Sequence, residues 1–391
     1  MKRKIVFTSR DPGAAGQLLP IIEQVKKDDW LIPYVVASGA ALKFFTSAGH
    51  HCIPFEEEVA SGYDQNDYPV QPANARVRGL VDQARGFLNA LDPVILVTGQ
   101  SSMGFGVDEI FMYVARTFKP HITTFTFFDF WGGFNSLGGT HAHHLLVMDE
   151  FAAKLTAPGR QCQIHVVGSP KHEVSSRVNV AEIRRQGRID LGLDHETLAI
   201  SFFAQTSKIA GYVDNFACLI AALSDMKRKN FKFFIKAHPK EIVETDKLLE
   251  YARSKGVAAL VFADPADNLK LMAASDIIIL CTSLICLDHA YLSSSAATPI
   301  GCVLYLAVGE EIKAYMRENY GFVRNPLVQM GVGYVAETAT DLERQLADIG
   351  SNSEMIDKYF KESQKLKGGK AVRNVVNLLY QYASGESVWP N

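Results

Sequence analysis

The run Phe231-Lys232-Phe233-Phe234-Ile235-Lys236 passes directly into Ala237-His238-Pro239-Lys240-Glu241, so a short hydrophobic segment ends in polar and charged residues. A second run, Ile277-Ile278-Ile279-Leu280, ends in the same way at Cys281-Thr282-Ser283. Short apolar runs are typical of strands that are buried on both faces of a parallel sheet. Because ligands collect at the carboxyl ends of such strands, these polar ends predict a site for the phosphate of a nucleotide.

Short β-rich runs alternate with amphipathic segments in both halves of the chain. In the first half the predicted strands and helices are Lys4–Ser9, Gly16–Lys27, Leu31–Ala37, Ala40–Gly49, Val94–Thr98, Val107–Phe118 and His121–Phe128. After the polar segment Asn179–Gly192 they are Leu198–Phe203, Val213–Lys227, Phe231–Ala237, Thr245–Lys255, Ala258–Phe262, Asn268–Ala274, Asp276–Cys281 and Cys302–Leu306. This βαβ rhythm predicts two α/β units that are joined near Gly168–Leu198.

Length and composition agree with this division. A chain of 391 residues, 48% hydrophobic and 21% charged, is too long for one ordinary core and has the composition of a soluble globular protein. A net charge of -2 gives no electrostatic case for nucleic-acid binding. The six cysteines have no zinc-binding spacing. We therefore expect a cytoplasmic protein with small-molecule partners and with no resident metal or cofactor.

A turn of small residues follows the first predicted strand, Ser9-Arg10-Asp11-Pro12-Gly13-Ala14-Ala15-Gly16-Gln17. Glycines let a helix N-terminus approach the sheet and expose its backbone N–H groups, so an anion or a sugar hydroxyl can bind near Gly13 and Gly16. Asp11 lies at the mouth of this turn and is a candidate general base. The alternative is that Asp11 only caps the helix.

An aromatic loop, Phe130-Trp131-Gly132-Gly133-Phe134-Asn135, follows Asp129 at the end of another predicted strand. Aromatic faces can stack on a carbohydrate, and Asp129 at this place can accept a hydroxyl proton. The alternative is an aromatic packing cluster between domains. Gln100, Ser101 and Ser102 are weaker polar neighbours of the same kind.

Two further groups of residues are interpreted as structural. His141-Ala142-His143-His144 lacks the ligand spacing and the accompanying carboxylates of a metal site, so loop histidines are favoured over a metal. Lys227-Arg228-Lys229 and the lysines of residues 358–370 are interpreted as solvated helix faces. Peripheral contact with an anionic membrane surface is the alternative.

The end of the chain predicts helical segments separated by the glycines Gly368 and Gly369. The last helix has apolar residues that need a surface to cover. By analogy with two-domain crevice proteins, we expect residues 371–391 to cross back to the first domain. The predicted domains are then residues 1–170, on the acceptor side, and residues 171–370, on the donor side.

The two strand ends of the second half carry the strongest case for chemistry. His238 can donate to a phosphate oxygen, Lys236 and Lys240 supply positive charge, and Thr282-Ser283 offer hydroxyls in front of a helix N-terminus. Asp288, which lies within that helix about a turn and a half from Ser283, can receive ribose hydroxyls. The polarity of strand ends explains each residue singly, but the set as a whole favours a nucleotide site.

Taken together, these motifs resemble the GT-B superfamily of nucleotide-sugar glycosyltransferases and epimerases, loosely over nearly the whole chain. Asp11-Pro12-Gly13 to Pro20 is similar to the first glycine loop of that fold, and Val166-Val167-Gly168-Ser169-Pro170 to the end of its N-terminal domain. Ile200–Thr206 resembles the strand that opens its donor domain. Lys236–Glu241 resembles the His-Pro motif of bacterial sialyltransferases, Kdo transferases and glycerophosphotransferases, whose histidine contacts the donor phosphate.

This resemblance implies an α/β fold of two Rossmann-like, doubly wound parallel-sheet domains that face a cleft, with a nucleotide-sugar donor in the second. The donor site would consist of Gly13 and Gly16 in the first domain and of Gln205, Thr206, Lys236, His238, Pro239, Lys240, Thr282, Ser283 and Asp288 in the second. His238 would also be catalytic, because it would offset the charge that grows on the leaving phosphate.

The UDP-N-acetylglucosamine 2-epimerases share that fold, but the sequence departs from their pattern. They have an acidic residue after the glycine of the fourth strand, where this chain reads Thr98-Gly99-Gln100-Ser101. They also have Ser-Gly-Gly and paired glutamates, where this chain has Cys281-Thr282-Ser283 to Asp288-His289. The sequence therefore favours transfer over epimerisation.

We expect a metal-independent, inverting glycosyltransferase that uses a UDP- or CMP-linked sugar to extend a bacterial-type cell-surface polysaccharide. The acceptor would be a glycan or a lipid-linked molecule, and Asp11, or else Asp129, would remove its proton. One alternative is a UDP-N-acetylglucosamine 2-epimerase or a sugar-nucleotide hydrolase. The other is a non-catalytic scaffold protein that binds a sugar nucleotide.

Overall fold

Two parallel β-sheets organise the chain, one in each of two units. The structure, a computed structural model, describes residues 2–55, 75–100, 105–132, 135, 140–156, 162–175, 177–226, 230–238, 242–264, 267–366 and 369–385. Met1–Val174 with Gly368–Asn391 form what we call unit 1, and Ser175–Lys367 form unit 2.

Unit 1 alternates strands and helices in chain order. Its strands are β1 (Arg3–Ser9), β2 (Leu31–Ala37), β3 (Ile53–Pro54), β4 (Ile95–Thr98), β5 (Thr123–Phe128), β6 (His144–Val147) and β7 (Gln163–Val166). Its helices up to the unit boundary are α1 (Pro12–Val25), α2 (Gly39–Ser47), α3 (Ala75–Leu91), α4 (Val107–Phe118), α5 (Glu150–Thr156) and α6 (Pro170–Ser175). The strand order is β3-β2-β1-β4-β5-β6-β7, and every described pair is parallel.

Unit 2 follows the same plan. Its strands are β8 (Leu198–Phe203), β9 (Phe231–Lys236), β10 (Ala259–Phe262), β11 (Ile277–Leu280), β12 (Cys302–Leu306) and β13 (Tyr334–Ala336). Its helices are α7 (Val180–Asp190), α8 (Tyr212–Asp225), α9 (Ile242–Ser254), α10 (Asp267–Ala274), α11 (Ile285–Ser295), α12 (Glu310–Tyr320), α13 (Pro326–Gln329), α14 (Ala339–Ser351) and α15 (Glu354–Ser363), before a 3-10 turn at Gln364–Leu366. The order is β10-β9-β8-β11-β12-β13, with parallel pairing between the described strands.

The central strands are apolar because both of their faces are covered. Every residue of β4, β8 and β11 is buried, as is β1 from Ile5 to Ser9. Parallel sheets with helices on both faces require such strands. The first residues that can offer polar groups to a ligand therefore lie just after the carboxyl ends of the strands.

Each sheet has one point at which the order of its strands reverses. In unit 1 this topological switch point lies between β1 and β4, and in unit 2 between β8 and β11. Ligands of open α/β sheets bind outside the carboxyl ends of the strands at such points. A ligand site is therefore expected in the loops that follow these four strands.

The last helix, α16 (Ala371–Ser384), packs within unit 1. The Tyr380 ring stacks on Trp30 with ring centroids 5.5 Å apart. The amide N of Val372 donates to Glu173 Oε2 over 2.9 Å, and Asn374 Nδ2 donates to the carbonyl oxygen of Val167 over 3.2 Å. Among the described residues, we find no helix with the length and apolar content needed to span a membrane.

Candidate functional site

At the switch point of unit 2, Gln205 forms hydrogen bonds with Cys281 and Thr282, and we call this arrangement the Gln205 clamp. Gln205 follows β8, and its Oε1 accepts hydrogen bonds from the amide N of Cys281 over 3.0 Å and of Thr282 over 2.8 Å. Gln205 Nε2 donates to Thr282 Oγ1 over 2.6 Å. The amide N of Gln205 donates to Tyr212 Oη over 2.9 Å, which anchors the same loop to the start of α8. The structure therefore joins Gln205 and Thr282, two of the predicted donor-binding residues, across the two central strands.

The hydroxyl of Ser283 lies at the start of α11. Ser283 Oγ accepts a hydrogen bond from the amide N of Ile285 over 3.3 Å, and Asp288 lies in the first turn of the helix. The positive end of a helix dipole favours an anion at this place. Thr206 is half-buried after β8, and its Oγ1 accepts from the amide N of Lys208 over 3.3 Å. These predicted residues therefore follow the two strands that flank the switch point.

The Lys236 side chain does not join the group of residues at the switch point between β8 and β11. It is buried, and its Nζ donates to the carbonyl oxygens of Ala237 and Ala263, each over 3.2 Å. Burial lowers the pKa of Lys236, while the carboxylates of Asp267 and Asp264 act in the opposite direction. The structure thus directs this ammonium group to the ends of β9 and β10.

His238, the next described residue of the His-Pro motif, lies one strand away from the switch point. His238 is half-buried after β9, which neighbours β8 on the side away from β11. Two strand spacings, about 10 Å, separate β9 from β11. The predicted residues Pro239 and Lys240 lie outside the described residues. A role for this motif stays a prediction.

An apolar recess borders the clamp in unit 2. A cavity of about 250 Å³ lies between α8 and α9, and Gln205, Tyr212, Phe216, Leu248 and Tyr251 line it. The Phe216 and Tyr251 rings lie 6.3 Å apart between centroids. Gln205 therefore belongs both to the clamp and to the wall of this cavity.

In unit 1, the first turn of α1 packs closely against the switch point between β1 and β4. A Cβ built on Gly13 would lie 2.8 Å from Asp129 Oδ2, and one built on Gly99 would lie 2.6 Å from Ala14 Cβ. The absence of side chains at Gly13 and Gly99 therefore lets the helix N-terminus reach the ends of β4 and β5. The carboxylate of Asp129 lies against that helix end, where the dipole stabilises its negative charge.

Substituting Gly13 should damage this contact. We expect Gly13→Ala to lower the free energy of unfolding by about 1–3 kcal/mol, because a methyl group 2.8 Å from Asp129 Oδ2 forces the carboxylate or the helix to move. Urea unfolding of the variant measures the change. Gly79→Ala on α3 is the matched control, since a Cβ there meets no described atom within 4 Å and alanine favours a helix. A stabilised Gly13→Ala protein would contradict the close contact.

Asp11 is the N-cap residue of α1, yet its side chain makes no capping hydrogen bond in the described structure. The interpretation of Asp11 as a simple cap is therefore not supported. Gly16 lies one turn further on, where a Cβ would be 3.3 Å from Lys171 Cδ. The structure thus places Asp11 at the end of the helix and Gly16 under the Lys171 side chain, away from the helix N-terminus.

A buried cluster of ionisable side chains, not predicted from the sequence, lies next to this turn. Asp108 and Glu109 open α4 and are 2% and 8% exposed. Arg10 lies against Gly106, since a Cβ there would be 2.9 Å from Arg10 Cδ. Burial and the negative charge of Asp108 raise the pKa of Glu109 to about 8, although Arg10 acts in the opposite direction. The signal was an Asp-Glu pair directly before the apolar stretch Ile110–Ala115 of the helix.

The aromatic loop is partly a packing element. Trp131 is fully buried, and its Nε1 donates to Asp149 Oδ2 over 3.0 Å and to Oδ1 over 3.2 Å. Asp149 Oδ1 also accepts from the amide N of Ala152 over 2.7 Å. This ring is therefore fixed inside unit 1, while Gly133 and Phe134 lie outside the described residues, as do Ser101 and Ser102.

Three histidines of unit 1, His143, His144 and His165, form a partly buried group. His143 Nδ1 accepts from Thr124 Oγ1 over 2.9 Å and His143 Nε2 contacts Arg116, while His144 Nδ1 lies 3.2 Å from His165 Nε2. Burial, followed by the charge of Arg116, lowers the pKa of His143 to about 4. Burial, followed by His165 and His143, lowers the pKa of His144 to about 3. No group of three or more metal-binding side chains occurs in the part of the chain that the structure describes.

No family model matches the chain, and no curated protein matches it. Solved structures do. The UDP-GlcNAc 2-epimerase of Neisseria meningitidis, bound to UDP-GlcNAc, has a TM-score of 0.71 and 12% identity, over 97% of this chain and 100% of that one. A glycosyltransferase of Rickettsia africae has a TM-score of 0.65 and 12% identity, over 99% and 100%. MurG of Acinetobacter baumannii has a TM-score of 0.59 and 13% identity, over 97% and 99%.

At 12–13% identity, this likeness defines a fold. The chain has the GT-B fold, and the prediction of two Rossmann-like parallel-sheet α/β domains is confirmed. The fold-level resemblance predicted from the motifs is confirmed with it. Fold alone does not assign chemistry, so the function has to be argued from the sites.

Proposed function

We propose that this protein is a glycosyltransferase that takes its sugar from a nucleotide-activated donor bound by unit 2. The observation that carries the proposal is the Gln205 clamp, which fixes Thr282 at the switch point between β8 and β11. Open α/β sheets bind their ligands at this point. The Neisseria epimerase of the same fold is bound to UDP-GlcNAc, which supports a nucleotide sugar as the ligand.

The donor phosphates would lie in front of α11. The Ser283 hydroxyl and the helix N-terminus supply donors and a positive potential there, and Asp288 would hold the ribose. His238, Pro239, Lys236 and Lys240 remain part of the proposed site by resemblance to the His-Pro motif, with Lys236 the least direct of them because its Nζ is bound to carbonyl oxygens.

Unit 1 would supply the base. Asp11 is suited to this role because it lies at the N-terminal end of α1, whereas the carboxylate of Asp129 packs against the first turn of that helix at Gly13. Asp11 would take the proton of the acceptor hydroxyl as that oxygen attacks C1 of the donor sugar. The bond between C1 and the phosphate oxygen breaks, and the electron pair leaves with the nucleotide.

Epimerisation is the second candidate, and a specific observation favours it. The sequence offers Gln100 where the epimerases have a carboxylate, but α4 brings Asp108 and Glu109 to the same edge of the sheet. Two carboxyls in different environments can act as an acid and a base.

For the transferase, we propose a cytoplasmic role in building cell-surface polysaccharide on a glycan or lipid-linked acceptor.

The fate of the donor distinguishes these functions. Proton and phosphorus NMR of UDP-GlcNAc and of CMP-linked sugars, incubated with the protein with and without a glycan acceptor, follows the donor directly. A transferase releases free nucleotide in an acceptor-dependent way. New sugar signals with the nucleotide still attached would support epimerisation instead, and an unchanged donor that nevertheless binds would support the scaffold alternative.

A further inference from the structure

The first turn of α4 differs from the rest of that helix. Asp108 and Glu109 are ionisable but buried, whereas the helix residues that follow them, from Ile110 to Ala115, are apolar and pack in the core. Burying two carboxyls costs stability unless they are well bonded. Because packing alone does not favour two buried carboxyls, we examine what each of them bonds.

Asp108 holds the end of β1. Its Oδ1 accepts from Thr8 Oγ1 over 2.6 Å, and its Oδ2 accepts from the amide N of Arg10 over 3.2 Å. Arg10 directly precedes Asp11, the base in the proposed function. The carboxylate of Asp108 therefore fixes the backbone from which Asp11 projects.

Glu109 holds the loop after β5. Its Oε1 accepts from Asn135 Nδ2 over 2.8 Å, and its Oε2 accepts from the amide N of Gly106 over 2.9 Å. The same loop begins with Asp129, which lies against the first turn of α1. Glu109 therefore ties the start of α4 to the loop that contacts the helix end.

We propose that Asp108 and Glu109 are positioning residues for the proposed reaction: one carboxyl sets the backbone beside Asp11, and the other sets the loop that carries Asp129. This inference rests on the proposed function. It assigns no contact with substrate to either residue, so both act through the groups that they hold.

Glu109 lowers the stability of the folded protein when it ionises, which a side chain that cannot ionise would not do. The charged groups that face it are Asp108 on its own helix and Arg10 after β1. The folded protein holds the Glu109 proton up to about pH 8, whereas the unfolded chain loses it near pH 4.5, so stability falls as the pH rises through this range. Removing the ionisable group should therefore stabilise the protein at neutral and alkaline pH.

The first arm of the test needs no activity. Trp131 lies in the loop that Glu109 holds, so 5-fluorotryptophan at this position, assigned with Trp131→Phe, reports the loop by fluorine NMR. We expect Glu109→Ala to shift or broaden this resonance, and Glu109→Gln, which keeps an oxygen for Asn135, to leave it close to wild type. Glu150→Gln, an exposed carboxylate of α5, is the control. An unchanged Trp131 resonance in Glu109→Ala would overturn the proposal.

The second arm separates positioning from packing. Glu109→Gln should raise the Tm at pH 8 by roughly 4 °C or more, since the ionisation cost is removed. Glu109→Ala should lower kcat at least tenfold with the donor KM within twofold, and Glu109→Gln should restore most of kcat. A lower Tm in Glu109→Gln, or equal losses of kcat in both variants, would show an ordinary structural carboxylate. If the wild-type protein turns over no donor, the proposed function fails, while the fluorine and Tm results still decide the positioning role.

Discussion

Asp11→Asn is expected to lower kcat by about 10²–10⁴-fold, because the acceptor hydroxyl then has no general base. Asparagine keeps the size of the side chain and the N-cap position of α1, so the change is confined to proton transfer. The proposed nucleotide site lies in unit 2, so the dissociation constant of the nucleotide should stay within twofold of wild type. Steady-state kinetics of donor turnover and calorimetry of nucleotide binding measure the two quantities.

Two companion variants make this result interpretable. Asp82→Asn on α3 changes an exposed carboxylate of the same unit and should leave kcat near wild type. Asp129→Asn tests the other candidate base, and we expect a smaller loss of kcat than for Asp11→Asn, because Asp129 is occupied at the helix end. Wild-type turnover in Asp11→Asn would eliminate this residue as the base, and a larger loss in Asp129→Asn would transfer the role to that carboxylate.

Acid should destabilise both units through buried histidines. His144 in unit 1 is 3% exposed and His289 in unit 2 is fully buried, with its Nδ1 hydrogen-bonded to Tyr359 Oη over 2.9 Å. Neither Nε2 atom has a hydrogen-bond partner among the described residues. Burial, with a smaller contribution from Arg184, lowers the pKa of His289 to about 3. Both side chains are therefore neutral in the folded protein at physiological pH.

The sign of the pH effect follows from these values. The unfolded chain takes up each proton near pH 6.5 and the folded chain only near pH 3, so stability is lost as the pH falls through this range. Each histidine should cost about 1.4 kcal/mol per pH unit below 6.5, or about 2 kcal/mol at pH 5.

Urea unfolding at pH 7 and pH 5 measures this loss. His289→Gln, which cannot be protonated, should show a correspondingly smaller difference between the two pH values, and His144→Gln should do the same for unit 1. His195→Gln, at an exposed histidine, serves as the control. Equal pH dependence in all four proteins would show that the buried histidines do not govern acid stability.

Much of the fold was predictable because the central strands are apolar on both faces. The predicted bounds of Leu198–Phe203, Cys302–Leu306 and the helix Val107–Phe118 are those of the structure. The elements that escaped prediction carry weaker or mixed signals. β7 is a sheet edge whose residues are exposed or half-buried, so it lacks the apolar run of a central strand.

α3 was missed although its pattern is regular. Its buried residues recur with a helical period and join the core of unit 1; they are Val77, Leu80, Val81, Ala84 and Leu88. The intervening arginines and polar residues lower the mean hydropathy of the segment. A search for apolar runs therefore passes over it, whereas a search for helical periodicity finds it.

The site was predictable only as a set of strand ends. The apolar run before Cys281 placed Thr282 after the right strand, and the resemblance to the GT-B superfamily placed Gln205. The hydrogen bonds between them depend on side-chain direction, which no local pattern encodes. The same limit explains Lys236, whose position after β9 suggested a phosphate contact while its Nζ bonds two carbonyl oxygens. Asp108 and Glu109 escaped because they precede no strand end and belong to a helix.

Thermal unfolding with UDP, UMP, CMP, CDP, GDP and dTDP tests most directly whether unit 2 binds a nucleotide at the Gln205 clamp. A ligand at a hundred times its dissociation constant stabilises the folded state by about 2.7 kcal/mol, which raises the Tm. We predict that one nucleotide class raises the Tm selectively. The affinity for that nucleotide should fall at least tenfold in Gln205→Leu and should be unchanged in Gln186→Leu, at an exposed glutamine of α7. No rise with any nucleotide, or an equal rise in Gln205→Leu, would show that the Gln205 clamp does not bind a nucleotide.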